Sequence, residues 1–135
     1  MALETVSPVA FLLGRVLFGG VLAFTGLNHF QQSDAMTGYA ESKGLPFPRL
    51  AVLGSGALLI AGGIALVLGV LPILAAGALV AFFLVATPTM HDFWNVEDPQ
   101  QRQSERNDFL KNAALAGGAL VLLAIGGANW PLAPF

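Results

Sequence analysis

The chain contains no cysteine, which excludes disulfides, thiolate zinc sites, iron–sulfur clusters and CxxC redox chemistry together. Charge is nearly as scarce: Asp, Glu, Lys and Arg make up 10% of the 135 residues, against about 25% in ordinary soluble domains. Six basic and eight acidic residues leave a net charge of −2, so no basic surface points to nucleic acid. Disorder needs more charge and collagen needs a fixed glycine period, and neither is present. No glycine-rich phosphate loop, catalytic triad or paired-carboxylate site is readable.

What the chain does have is apolar surface. Hydrophobic residues account for 56%, and the 16 glycines lift the apolar share to about 68%, where soluble domains reach about 45–50%. A chain this short leaves much of its area exposed when folded, so it must be a membrane protein with the lipid bilayer as its first partner. The few charges mark out the spans. From Thr5 to Ser33 the only charge is Arg15, and neither 50–91 nor 112–135 holds any Asp, Glu, Lys or Arg. A spanning helix takes about 20 apolar residues, so the outer gaps hold one helix each and the middle gap holds two, divided at Leu68-Gly69-Val70-Leu71-Pro72. The predicted spans are 9–29, 49–68, 72–90 and 109–128. The first lacks the basic start of a signal peptide and reads as a retained helix. The expected fold is all-α: an antiparallel four-helix membrane bundle in one domain, 1–135.

Small residues at Gly19–Ala23, Ala61–Ala65–Gly69, Gly77–Ala81 and Ala113–Gly117 are candidate packing seams, because close backbone approach supplies much of helix association in lipid. In the first loop a short surface helix is expected, capped by Ser33 and ended by Gly44, with Met36, Tyr39 and Ala40 on one face. In the second loop, Asp98-Pro99-Gln100-Gln101 opens the fourth helix with a cap and an N1 proline. There Arg102 is positioned to pair with Asp98 and Glu105.

An antiparallel bundle puts loops 30–48 and 91–108 on one side, here called face B, and the two termini and the Gly69 turn on the other, face A. Lys43, Arg49, Arg102, Arg106 and Lys111 all fall on face B. The Lys and Arg rule therefore places face B in the cytoplasm of a multi-pass plasma-membrane protein, with both termini outside. Seven of the eight acids share that face.

His29 and His91 end the first and third spans on face B, with Asn28 and Asp92 beside them. Pro88 bends the chain toward His91. The chemistry open to this group is quinone head-group binding, proton transfer, metal ligation or plain backbone capping. With two histidines and no i,i+4 pair, no metal is assigned. Arg15 lies about 10 Å into span one and either snorkels to face A or serves a buried role. Trp94 and Trp130 are expected at opposite interfaces as anchors.

Leu13-Gly14-Arg15-Val16-Leu17-Phe18 with Thr25-Gly26-Leu27-Asn28-His29-Phe30 resembles the opening helix of the DoxX family. Tyr39 with Gly44-Leu45-Pro46 resembles its first loop, and Gly62-Gly63 with Leu68-Gly69 its second helix. His91-Asp92-Phe93-Trp94 is similar to its third-helix end, and Phe109-Leu110-Lys111-Asn112 to the start of its fourth. The resemblance implies a four-helix membrane protein associated with redox or sulfur metabolism, as the membrane subunit of a quinone-linked oxidoreductase. Quinone is then the expected cofactor, and a soluble or membrane redox partner or a second copy the expected protein contact. Arg15, Asn28, His29, His91, Asp92 and Trp94 are the candidate ligand-binding residues. A non-catalytic scaffold for a redox or stress-response partner is the alternative, and a small transporter the third reading. Many relatives carry a glutamate in the second helix where this chain has Leu59.

Overall fold

The computed structural model describes residues 7–126 and Trp130, and all of its elements are helical. They are α1 (Pro8–Gln31), α2 (Ser33–Ser42), α3 (Pro48–Leu68), α4 (Pro72–Met90) and α5 (Pro99–Ala124), with a 3-10 turn at Phe93–Asn95 before α5. Three segments, Pro8–Gln31, Pro48–Leu68 and Pro72–Asn95, are long and apolar enough to cross a membrane. The 21 residues of α3 make a rod of about 31 Å, matching a hydrocarbon core of about 30 Å. Helix α5 is polar through its first ten residues and apolar beyond Lys111. The last two residues of the predicted fourth span lie outside the described residues, as do Glu4 and the tail except Trp130.

Local chemistry sets the helix ends. The Ser7 hydroxyl accepts from the Ala10 N–H at 3.2 Å and opens α1. The Asp98 carboxylate accepts from the Gln101 N–H at 2.9 Å, with Pro99 at the first position of α5, as expected. Gly69, at φ 75°, closes α3, and its left-handed backbone is what a hairpin two residues later requires. Gly44, at φ 78°, stops the chain after α2. Two details differ from expectation. Ser33 is the first residue of α2 and not its cap, a place held by Gln32 without a side-chain bond. Helix α1 runs two residues past His29.

Contacts at the helix ends fix the directions. The start of α1 meets the end of α3 through Arg15, and the end of α1 meets the start of α3 through His29, so the two are antiparallel. Helices α4 and α5 are antiparallel by the same reasoning, since His91 meets Glu105 at one end and Ile73 abuts Gly126 at the other. The Gly69 hairpin joins the two pairs.

The closest approach is α1 on α3. A Cβ on Gly19 or Gly26 would overlap the carbonyl oxygens of Gly63 and Gly56, so backbone meets backbone along the whole seam. Gly19–Ala23 is thus a seam as expected, but its partner row is Gly56 and Gly63, while Ala61 is exposed. Gly117 has open space in front of it, and Gly77 meets only Leu123 at an ordinary 3.9 Å. Those two spacings face away from tight contacts. The core collects Leu22, Leu59, Leu66, Leu79 and Phe83 around Ala76 and Ala119. Leu59 is fully inside this core. Leu17, Phe24, Leu74 and Val85 point outward and remain exposed, the arrangement lipid stabilises and water does not.

Candidate functional site

Face B is built by four helix ends and the two connecting segments. Its centre is the corner where α4 gives way to α5. Pro88 cannot donate to the helical ladder, and the helix ends soon after it at Met90, with the His91 N–H closing onto the Thr87 carbonyl at 3.0 Å. The His91 ring then turns to α5, where its Nδ1 lies 3.1 Å from a Glu105 carboxylate oxygen and 4.0 Å from one of Asp108. Glu105 and Asp108 are three apart on a helix and therefore share one face. Ligand atoms of these three residues all fall within 4.8 Å of one another, which is within reach of a common cation.

Helix α2 lies across this corner. Tyr39 donates its phenol hydrogen to the Met90 carbonyl at 2.9 Å, occupying an acceptor left over at the end of α4. One turn on, Lys43 Nζ meets Asp92 Oδ1 at 2.5 Å, and the other Asp92 oxygen accepts from Asn95 at 3.1 Å. The Lys43 ammonium also stands 5.3 Å from the centre of the Tyr39 ring. Both members of the ion pair are about four-fifths covered, so it is held more firmly than the exposed pair Arg49–Asp34. The Asp92 hydrogen bond raises the Lys43 ammonium above its ordinary range. Burial, and after it the Glu105 charge, raises the Tyr39 phenol. Both groups keep their protons at neutral pH.

An aromatic cluster flanks the corner. Phe93, Trp94 and Phe109 pack edge to face, with centroids 5.2 to 5.8 Å apart. Trp94 is half exposed.

The other predicted residues lie elsewhere. His29 is buried between α1 and α3, its Nδ1 3.0 Å from the Val52 carbonyl and 3.1 Å from the Ser55 hydroxyl. A carbonyl only accepts, so Nδ1 carries the proton. Asn28 offers its carbonyl to the Gln32 N–H at the end of α1. Nothing described joins His29 to His91, whose partners belong to different helix pairs. Arg15 sits at the opposite end of the bundle, 1% exposed. Its Nε and Nη2 donate to the Leu66 and Val67 carbonyls at 3.2 and 2.9 Å. Its guanidinium lies 5.6 and 5.3 Å from the Phe11 and Trp130 ring centres. Arg15 therefore caps α3 from inside the bundle and does not snorkel. Trp130 is likewise buried, donating to the Ile125 carbonyl, and is packing in place of the interfacial anchor expected. Arg102 turns to the Val96 carbonyl at 2.7 Å, leaving Glu105 to His91.

The structure adds Tyr39, Lys43, Glu105 and Asp108 to the site. The signal for two of them was present in the sequence: Glu105 and Asp108 repeat at helical spacing on a polar helix start, facing back to a histidine at the preceding helix end.

A family model described as DoxX matches residues 10–92, which takes in α1 to α4 together with His91 and Asp92. Helix α5, with Glu105 and Asp108, lies beyond the matched residues. No curated protein and no solved structure matches the chain.

Proposed function

The chain belongs to the DoxX family, and from that premise we propose that it is the membrane subunit of a quinone-linked redox system, with the head-group site on face B where α2, α4 and α5 meet. One observation carries this reading: an imidazole–carboxylate pair, His91–Glu105, stands beside a covered Lys43–Asp92 pair and a phenol at the end of a spanning helix. A quinone head group sits at that depth, between apolar tail and water, and needs polar contacts for its oxygens.

Quinone, when bound, supplies the two-electron chemistry, and the electrons come from a donor oxidised by a partner subunit. The residues of this chain bind, orient and move protons. Glu105 accepts from His91 Nδ1 in the neutral imidazole, which leaves Nε2 to exchange a proton at the head group. Phe93, Trp94 and Phe109 supply aromatic surface for the ring. Face B is the cytoplasmic face on this reading, since it carries the Lys and Arg excess.

The test is a titration of the purified protein in lipid nanodiscs with a short-chain quinone, followed by tryptophan fluorescence. Saturable quenching is expected, lost in Trp94→Phe and weakened roughly three- to tenfold in His91→Ala, the scale of one lost hydrogen bond. No saturable quenching, or equal quenching in His91→Ala, contradicts the proposal. Absent quinone binding together with a tightly retained soluble partner is the result expected of a scaffold.

A further inference from the structure

We propose that His91, Glu105 and Asp108 form a binding site for a divalent transition-metal ion at the corner between α4 and α5. This goes beyond the quinone reading and does not rest on it.

The ligand geometry is in place. His91 Nδ1 is 3.1 Å from Glu105 and 4.0 Å from Asp108, and the three groups come no further apart than 4.8 Å. Metal–nitrogen and metal–oxygen bonds of about 2.0–2.2 Å put neighbouring ligand atoms about 3–3.5 Å from each other. His91 and Glu105 already have that spacing, and a small rotation of Asp108 brings in the third. Both acids are on one face of α5, and the His91 backbone is fixed at the end of α4 by its bond to Thr87.

The charge balance favours a cation. The Glu105 side chain is 13% exposed, and its one ion pair among the described residues is with His91. Lys43 is committed to Asp92 and Arg102 to the Val96 carbonyl. Lys111 reaches Asp108 only at 3.9 Å, from an exposed position. Two carboxylates thus face one imidazole with little compensation, and a dication between them removes their mutual repulsion.

One imidazole and two carboxylates suit Zn²⁺, Mn²⁺ or Fe²⁺ better than a soft ion such as Cu⁺. Three protein ligands leave the remaining positions to water, and His91 is exposed enough for the ion to enter. On binding, the imidazole changes tautomer: its one proton passes by way of water from Nδ1 to Nε2, and Nδ1 presents its lone pair to the ion. The ion then ties the polar start of α5 to the end of α4, and the proton now on Nε2 makes that atom a donor.

The absence of cysteine simplifies the test, because Co²⁺ bound to this chain has no thiolate to colour it. The full chain, freed of any polyhistidine tag, is titrated with Co²⁺ in detergent and followed by visible absorbance. Expected are one saturable equivalent, displacement by Zn²⁺, and a higher thermal midpoint with metal present. Binding is lost in His91→Ala and at least about tenfold weaker in Glu105→Gln, which keeps the side chain's shape, while His29→Ala binds normally. No saturable Co²⁺ binding, binding unchanged in Glu105→Gln, or binding lost in His29→Ala would overturn the proposal. The first of these results is what a plain imidazole–carboxylate hydrogen bond gives.

Discussion

At the scale of single residues, Arg15 shows how a buried charge can be structural. A guanidinium deep in a membrane helix is costly unless its donors are used. Here they are spent on Leu66 and Val67, carbonyls in the last turn of α3, of which Leu66 also accepts from the Gly69 N–H at 3.3 Å. The favourable end of the α3 dipole adds to the same contact. Replacing Arg15 with Met should lower stability by about 1–3 kcal/mol, the cost of leaving the Val67 acceptor unmade. Lys at the same place should fall between, since one ammonium cannot reproduce the two-nitrogen fork. Thermal unfolding in detergent checks the order wild type, Lys, Met; equal midpoints would remove the capping role. The depth of Arg15 was legible from its distance past Pro8. Its partners were not, because they lie more than fifty positions away on another helix.

At the scale of elements, the α1–α3 seam is held by the absence of side chains. A methyl group on Gly63 would meet the Gly19 carbonyl and the Ala23 amide nitrogen, neither able to move aside. Gly63→Ala should therefore destabilise the fold by about 1–3 kcal/mol. Gly117→Ala, with nothing within 4 Å, should be neutral or slightly stabilising through helix propensity. Both are measured by the same thermal assay, and a neutral Gly63→Ala would mean the helices are further apart than described. The two positions look alike in the sequence, each one of a Gly-Gly pair in an apolar helix, Gly62-Gly63 and Gly117-Gly118. Spacing gives a helix face but not the neighbour that face meets. Caps and breaks depend on adjacent residues, and accordingly Asp98, Gly44 and Gly69 act as their local sequence predicts. The α2 latch is the opposite case. Tyr39 and Lys43 reach Met90 and Asp92 across about fifty residues, a distance no local pattern encodes.

For the whole molecule, the distribution of charge is the main organising fact. Outside Arg15, the described charges gather where α2, the end of α4 and the start of α5 converge, leaving the Gly69 hairpin without any. That asymmetry was legible from the gaps between charges, as was the helical bundle. The pairing inside the polar face was not: His29 belongs to the α1–α3 seam, while His91 joins Glu105 and Asp108. Quinone binding and metal binding both need this face to be assembled on one side of the membrane. The chain's lack of cysteine allows single cysteines to be placed at Glu41, Gln103 and Leu71, all exposed. In sealed vesicles, a membrane-impermeant maleimide should label Glu41→Cys and Gln103→Cys from the same side and Leu71→Cys only from the other. Labelling of Glu41→Cys and Gln103→Cys from opposite sides would contradict the account.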